Sequence, residues 1–223
     1  MPPSNSAFVI AIDGPAAAGK GTLARLLADH YDFAFLDTGA LYRAVGLQML
    51  IEGSDLDDAE KATETAGRLD LGLIGDPRLR AEETGGAASR VAAVPGVRAA
   101  LLDFQRRFAG HPPAGQPGAV LDGRDIGTVV CPDAPVKLFV TASAEERARR
   151  RTAEIEGRGE AADYAAILED VKARDARDMG RKDAPLRAAE DALLLDTTNL
   201  AIDAVFLRAK SFIDGKLSSR DGA

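Results

Sequence analysis

A short apolar run, a glycine-rich turn and a helical pattern follow one another near the start of the chain. Residues 8–12 are apolar and largely β-branched, which predicts a buried strand. Residues 14–20 match the spacing G-x-x-x-x-G-K, and Leu23, Leu26 and Leu27 then recur at helical spacing. A strand, a glycine-rich loop and a helix in this order predict the opening unit of an α/β fold.

The glycine-rich segment has the chemistry of a phosphate-binding loop. Its glycines let the backbone bend so that successive N–H groups point inward, and the following helix brings the positive end of its dipole. Lys20 adds a mobile ammonium, whereas Gly21 stands where serine or threonine is usual. The alternative is a turn that merely begins a helix. The residues predicted to cradle phosphate are Gly14, Pro15, Ala16, Ala17, Ala18, Gly19, Lys20, Gly21 and Thr22.

Composition limits the classes of partner. The chain has 28 Lys and Arg against 35 Asp and Glu, a net charge of −7. We therefore expect neither a nucleic-acid partner nor a membrane partner, and any bound anion must be held by a local cluster. The single cysteine, Cys131, excludes an internal disulfide and a cysteine metal cage. The sequence has no long apolar span and no signal-like start, so we expect a cytoplasmic protein.

Strand and helix patterns alternate along the rest of the chain. They predict a three-layer α/β sandwich around a central parallel five-stranded sheet. A short hairpin is also expected, with strands at 69–74 and 78–82 and a break at Gly85-Gly86. Loose tails are expected over 1–7 and after 213. The other strands are predicted at 33–36, 119–121, 136–141 and 193–195, and the other helices at 41–50, 58–68, 97–108, from 143 to an interruption at 157–159, 163–178 and 202–213.

Three motifs give the chain a family resemblance. The loop variant GKGT is followed by Asp37-Thr38-Gly39 and Tyr42-Arg43, which resembles the nucleoside monophosphate kinases. The run DGRDIGTVVCPDAPVK from Asp122 and the later R-D-x-R-D-x-x-R run are similar to the bacterial cytidylate kinases. The resemblance covers roughly residues 8–213. This sequence departs from the family pattern at the insertion after Leu69, which is shorter than the hairpin that many family members have there.

The resemblance implies a kinase that uses ATP and magnesium to phosphorylate CMP or dCMP. Phosphoryl transfer needs two phosphates in line, with their charge neutralised. We expect Lys20 to bridge toward the donor phosphates and Arg43, Arg174 and Arg181 to neutralise charge during transfer. For Arg43 a solvated helix arginine is the alternative, and for Arg177 it is a pair with a nearby acid. The residues expected to bind CMP are Thr38, Tyr42, Arg43, Ser89, Arg98, Arg124, Asp125 and Asp178.

Within that set, the resemblance assigns the cytosine base to three residues. Asp125 paired with Arg98 would match the donor and acceptor edge of cytosine, and Ser89 would add a hydroxyl. Asp125 could instead be a strand-end turn residue that bonds to its own backbone. For magnesium, Thr22 is one candidate, and Asp37 or Asp122 acting through water is another.

The expected organisation is a single kinase domain over 1–223. Its P-loop core would comprise 8–62 and 119–223, and a monophosphate-binding insertion would cover about 63–118. A lid at about 151–163 would exclude water when it closes. The arginines between 147 and 151 are interpreted mainly as a solvated helix face, with Arg151 turned toward the lid. The resemblance suggests a monomer.

Two other functions stay open at this point. One is a kinase of the same architecture with a different acceptor, such as UMP, AMP or a shikimate-like metabolite. The other is a non-catalytic P-loop switch that binds a nucleotide and signals through its shape. A switch gives no reason for Arg43, Arg174 and Arg181 to converge.

Overall fold

A five-stranded sheet forms the centre of the protein in this computed structural model, which describes residues 7–221. The strands lie in the spatial order β2-β3-β1-β4-β5, and every neighbouring pair is parallel. The predicted central sheet is thereby confirmed. In chain order the strands are β1 (Phe8–Asp13), β2 (Ala34–Asp37), β3 (Gly118–Gly123), β4 (Val136–Thr141) and β5 (Leu193–Asp196).

Helices cover both faces of the sheet. On one face Leu27 and Ile213 pack with Ile10 of β1, and on the other face Ala109 packs with Ala11. The three-layer arrangement predicted from the alternation of strands and helices is confirmed. In the described part of the chain the α-helices are α1 (Lys20–Tyr31), α2 (Thr38–Ile51), α3 (Ala59–Gly67), α4 (Glu82–Val91), α5 (Pro95–Gly110), α6 (Ala144–Glu156), α7 (Tyr164–Met179) and α8 (Ile202–Asp221).

The predicted hairpin between residues 69 and 82 is wrong. The segment forms two short 3-10 helices, Leu71–Gly75 and Pro77–Arg80. The carboxylate of Asp70 accepts a hydrogen bond from the backbone N–H of Gly72, and Asp76 accepts one from Arg78, each at 2.8 Å. These side chains cap the turns locally, which is the usual way that aspartate competes with strand pairing.

The predicted break at Gly85-Gly86 is also wrong, because both glycines lie inside α4. Small residues let α4 lie close against α2: a Cβ atom added at Gly46 would stand 2.9 Å from the backbone nitrogen of Ala88. Close packing of the two helices thus stabilises a segment whose glycines weaken its helical propensity.

The C-terminal helix is longer than predicted. It continues to Asp221, so the expected polar tail after 213 is helical up to that residue. The expected N-terminal tail lies, apart from Ala7, outside the described residues. Among residues 7–221 there is no helix long and apolar enough to cross a membrane.

Three aspartates lie along one edge of the sheet, where β1, β2 and β3 end. Asp37 of β2 lies opposite Asp122 of β3, and Asp13 of β1 lies opposite Gly123. Parallel strands bring their carboxyl ends to the same edge, which is where α/β folds place their sites.

Candidate active site

A cavity of about 320 Å³ opens at this edge of the sheet. It is lined by the phosphate loop and also by residues from α2, α4, α5, α7 and the end of β3. Gly14, Pro15 and Ala18 do not line it. The predicted residues that do are Ala16, Ala17, Gly19, Lys20, Gly21, Thr22, Asp37, Thr38, Tyr42, Arg43, Ser89, Arg98, Asp122, Arg124, Asp125, Arg174, Asp178 and Arg181.

The phosphate loop needs its first glycine for two reasons. Gly14 has a φ of +147°, and a Cβ atom there would come within 1.9 Å of the carbonyl oxygen of Val140. The loop closes at Gly19, whose φ is +87°, and α1 begins at Lys20. The backbone therefore bends into the helix N-terminus in the manner that the motif predicts.

Lys20 lies in the floor of the cavity and is only 6% exposed. Its Nζ donates to the carbonyl oxygen of Pro15 at 2.9 Å and lies 3.8 Å from Oδ1 of Asp122. Burial lowers the pKa of Lys20 to about 8, and the neighbouring Arg124 adds to this effect while Asp122 opposes it. Lys20 is thus a desolvated cation at the C-terminal end of the glycine-rich turn.

The residues predicted to hold magnesium are oxygen donors that line the cavity. Thr22 is exposed to it, Asp122 lies beside Lys20, and Asp37 already bonds to Arg43. Among the described residues no three acidic or histidine side chains cluster as a metal cage. Such a sparse set of oxygen donors fits Mg²⁺, which usually retains waters and binds through few carboxylates plus substrate phosphates.

Arg43 joins α2 to the end of β2. Its Nη2 donates to Oδ2 of Asp37 at 2.6 Å, and the other oxygen of Asp37 accepts from the backbone N–H of Ala40 at the start of α2. Arg43 is 28% exposed by side chain and lines the cavity, so it is not a freely solvated helix arginine. Thr38 donates to the backbone oxygen of Asp122 at 2.7 Å, which joins β2 to β3 at the site.

Arg98 and Asp125 form a buried ion pair across the cavity wall. A terminal nitrogen of Arg98 donates to Oδ2 of Asp125, and the guanidinium lies 5.5 Å from the ring centre of Tyr42. Asp125 is 4% exposed. The carboxylate of Asp125 therefore pairs with Arg98 and does not serve as a turn residue that bonds to its own backbone.

Ser89 of α4 lies in the same wall and is held from α7. Its hydroxyl oxygen accepts from Nε of Arg177 at 3.2 Å. Arg177 itself does not line the cavity, and it lies 3.9 Å from Asp170. The acidic pair expected as the alternative for Arg177 is thus present, together with a link to Ser89.

Asp178 is the centre of an arginine cluster. It accepts from Nε of Arg124 at 3.1 Å and also pairs with Arg181. Burial pushes the pKa of Asp178 upward, but the guanidinium groups of Arg124, Arg181 and Arg174 bring it below its usual value. Asp178 is therefore an ionised acid that gathers three cations on one side of the cavity.

Arg174 carries a positive charge that the protein only partly balances. Its Nε is buried and has no hydrogen-bond partner among the described residues. Burial lowers the pKa of Arg174 to about 10, and repulsion from Arg124 contributes. A buried N–H group of a guanidinium that has no acceptor is costly unless an anion arrives to accept its hydrogen bond.

A second cavity, of about 370 Å³, lies on the other side of the phosphate loop. Gly19 and Thr22 line both cavities, and Arg150 and Thr197 line only the second. Arg150 donates to the backbone oxygen of Thr197 at 2.6 Å. Neither residue is among those predicted from the sequence, where Arg150 belongs to the run of arginines expected on a solvated helix face.

Arg147 contradicts that interpretation still more clearly. It is 3% exposed, and it donates at 3.3 Å to the carbonyl oxygen of Ala16 in the phosphate loop and at 2.9 Å to Asp175 of α7. Arg151, expected to face the lid, pairs with Glu154 on its own helix. Only the packing of α6 reveals which arginines turn inward.

Asp13 is also absent from the residues predicted from the sequence, although its position at the end of a buried strand and before the first loop glycine is a usable signal. It is 3% exposed, and its carboxylate accepts from the backbone N–H groups of Ile126 and Gly127, each at 2.7 Å.

Comparison with known proteins supports the resemblance. Residues 10–213 match the family described as cytidylate kinase. Cytidylate kinases of Brucella suis and Brucella ovis are each 56% identical over 215 residues, which cover 96% of this chain and 96% of each relative. An uncharacterized protein from Eubacterium ventriosum shares the fold, with a TM-score of 0.51 and 16% identity over 93% of this chain and 98% of that one. This chain therefore belongs to the cytidylate kinase family of P-loop nucleoside monophosphate kinases.

Proposed function

We propose that this protein transfers the terminal phosphate of ATP to CMP or dCMP and releases ADP with CDP or dCDP. One observation carries the proposal: the loop that holds Lys20, a group of four arginines and the Arg98–Asp125 pair all line one cavity. Phosphoryl transfer asks for positioned phosphates, neutralised charge and excluded water, with little covalent help from the protein. The four arginines are Arg43, Arg124, Arg174 and Arg181.

In this proposal the Arg98–Asp125 pair reads the base. Cytosine offers its exocyclic amine as a donor, with N3 and O2 as acceptors. Asp125 would accept from the amine and Arg98 would donate to the acceptors. The hydroxyl of Ser89 would also donate, because its oxygen already accepts from Arg177. Uracil places a carbonyl oxygen opposite the Asp125 carboxylate, so UMP should be the poorer acceptor.

The arginines would hold the acceptor phosphate and the group in transfer. Arg174 supports this role most directly, because it is a buried cation whose Nε has no hydrogen-bond partner in the described part of the chain. Each charge-assisted hydrogen bond to phosphate contributes roughly 1.5–3 kcal/mol. Thr38 and Tyr42 would complete the acceptor wall, while Asp178 would position Arg124 and Arg181 or contact the ribose.

The donor phosphates would lie on the loop between Gly14 and Thr22, with Lys20 reaching their terminal end. The second cavity would take the donor base and ribose, since Gly19 and Thr22 line both cavities. When bound, Mg²⁺ would neutralise part of the phosphate charge, held by Thr22 and, through water, by Asp122 or Asp37.

The proposal includes the domain organisation expected from the sequence. The chain would act as a monomer in the cytoplasm, with a P-loop core, a monophosphate-binding insertion at about 63–118 and a lid at about 151–163. The lid segment comprises the last turns of α6 and the connection, residues 157–163, to α7, the helix that carries Arg174. Closure of this segment would exclude water from the donor phosphate.

The test is steady-state ADP release by the purified protein with CMP, dCMP, UMP, AMP or shikimate as acceptor. We expect CMP and dCMP to be preferred and ADP release to depend on the acceptor. Lys20→Ala should lower kcat by orders of magnitude with the fold intact. Lys172→Ala is the matched control, because that lysine pairs with Glu169 on the exposed side of α7. Clear preference for AMP or shikimate, or the absence of CMP-dependent turnover, would overturn the proposal.

A further inference from the structure

Asp13 is a buried acid that does not line either cavity, yet it touches the loop on which Asp125 lies. Its Oδ1 accepts from the backbone N–H of Ile126 and its Oδ2 from that of Gly127, each at 2.7 Å. These contacts join residues 113 and 114 positions apart in sequence. Each oxygen of the Asp13 side chain thus accepts one backbone N–H group.

The two N–H groups belong to the first residues of a π-helical turn, Ile126–Val130. The turn is also bonded to Asp125, because the backbone oxygen of Asp125 accepts from the N–H groups of Val129 at 2.9 Å and Val130 at 3.1 Å. The first N–H groups of a helical turn lack partners within the turn, so an outside acceptor must satisfy them. Asp13 is that acceptor, and it thereby anchors the backbone directly after Asp125.

The fit around this contact is close. A Cβ atom added at Gly127 would stand 3.4 Å from Oδ2 of Asp13 and 3.2 Å from the side chain of Lys137. Burial, together with repulsion from Asp125 and Asp122, raises the pKa of Asp13 to about 7, although the two N–H groups counteract this. The protein thus keeps an acid at a position where burial disfavours its charge.

An amide cannot replace this carboxyl group without loss, because both oxygens of a carboxyl group keep a lone pair for an N–H group whether or not the acid is protonated. Asparagine has one acceptor oxygen, and its NH₂ group would face one of the two N–H groups donor to donor. A buried N–H group that loses its partner is destabilised by its lost hydration. The turn would then shift, and Asp125 would move relative to Arg98.

We propose that Asp13 is a positioning residue for the acceptor base: by anchoring the turn after Asp125, it sets how the Asp125 carboxylate meets cytosine. The proposal rests on the proposed role of Asp125 in binding CMP. It assigns to Asp13 an effect on the acceptor and not on the donor, although Asp13 is adjacent in sequence to the phosphate loop.

The experiment measures KM and kcat for CMP and for ATP in Asp13→Asn, Asp125→Ala and the double variant. We expect Asp13→Asn to raise KM for CMP roughly tenfold, with kcat and KM for ATP within about threefold of the parent. In the Asp125→Ala background the same substitution should change KM for CMP by less than about twofold, because residues that act as a unit are not additive.

Two controls separate positioning from stability. Ile213→Ala removes buried volume from the core between α8 and the sheet, away from the acceptor residues, and should lower stability while KM for CMP is unchanged. Gly127→Ala perturbs the same contact from the other side and should raise KM for CMP in the same direction. It serves as the test if Asp13→Asn does not fold.

The outcomes distinguish the two proposals. If Asp125→Ala leaves KM for CMP unchanged, the proposed role of Asp125 fails. If Asp125→Ala raises that KM but Asp13→Asn does not, or if the two effects simply add, the positioning role of Asp13 is overturned. Equal increases in KM for ATP and for CMP would also overturn it, because they would indicate a general disturbance of the site.

Discussion

The guanidinium of Arg147 in α6 and the carboxylate of Asp175 in α7 form a buried pair, with Nη1 and Oδ1 at 2.9 Å. Arg147 also donates to the carbonyl oxygen of Ala16, so one side chain connects the phosphate loop to the helix that carries Arg174. Arg147 therefore ties the phosphate loop to α7, and residues of both elements line the cavity.

Removal of Asp175 should therefore destabilise the protein. Asp175→Ala leaves Arg147 as a buried cation whose remaining partners in residues 7–221 are backbone carbonyl oxygens, and we expect the free energy of unfolding to fall by about 3 kcal/mol. Urea denaturation measures the change. Glu169→Ala on the exposed side of the same helix is the control and should stay within about 0.5 kcal/mol. Similar stability for both variants would show that the pair is not important for the fold.

Asp125→Ala should affect the acceptor far more than the donor. The substitution removes the proposed acceptor for the cytosine amine and leaves Arg98 without its partner. We expect kcat/KM for CMP to fall by at least roughly 100-fold and KM for ATP to change by less than about threefold. Steady-state kinetics with each substrate varied in turn measure both. Equal losses for the two substrates would remove Asp125 from the acceptor site.

Arg174 and Arg177 lie one turn apart on α7 and should differ strongly. Arg174→Ala removes a cation whose buried Nε, like that of Arg181, lacks a hydrogen-bond partner in the described part of the chain, and kcat should fall by roughly 10²–10³-fold. Arg177→Ala removes a half-exposed side chain that contacts Ser89 and Asp170, and kcat should fall by less than about fivefold. Single-turnover measurement of ADP formation compares them, and similar losses would contradict the assignment of Arg174 to the transferred group.

Activity should decline as the pH rises through about 8. Burial lowers the pKa of Lys20 to about 8, so its ammonium is charged below that pH and loses its proton above it. The pH dependence of kcat/KM reports groups of the free enzyme. We expect kcat/KM for ATP to fall about tenfold per pH unit well above pH 8, measured between pH 7 and 9.5. A flat profile up to pH 9.5 would show that Lys20 stays charged.

Asp13 should give stability a distinct pH dependence. Its folded pKa is about 7, whereas aspartate in an unfolded chain has a pKa of about 3.9. Between those values the folded protein holds a proton that the unfolded chain lacks. The stability due to Asp13 is therefore complete below about pH 4 and lost as the pH rises through 7. The free energy of unfolding of the parent minus that of Asp13→Asn should fall by up to about 4 kcal/mol from pH 4 to 7. A difference that does not vary with pH would contradict the raised pKa.

Local pattern was sufficient for the sheet and the phosphate loop. The five strands and the helix after Lys20 are signalled by short apolar runs and by glycine spacing, which act within a few residues. Between residues 69 and 82 the local pattern was misleading. There two short runs around Asp76-Pro77 favoured a hairpin, but Asp70 and Asp76 cap 3-10 turns instead.

The arginines of α6 show a different limit. Arg147, Arg149 and Arg150 stand close together in one helix, yet Arg149 is 67% exposed by side chain and Arg147 is 4% exposed. Helical periodicity predicts which residues share a face of the helix. It does not predict which face packs on α7 and the phosphate loop, because a helix that is mostly charged has no clear apolar stripe to mark that face.

The sequence by itself determined the glycine-rich loop, the alternation that makes a parallel sheet and the motifs that assign the chain to its family. The tertiary structure decided which partner each charged side chain meets: Asp13 the backbone N–H of Ile126, Arg98 the carboxylate of Asp125, and Arg147 both the carbonyl oxygen of Ala16 and the carboxylate of Asp175. The physical reason is that parallel strands bring their carboxyl ends to one edge whatever their distance along the chain, and burial there makes each charge depend on partners that no local pattern reveals.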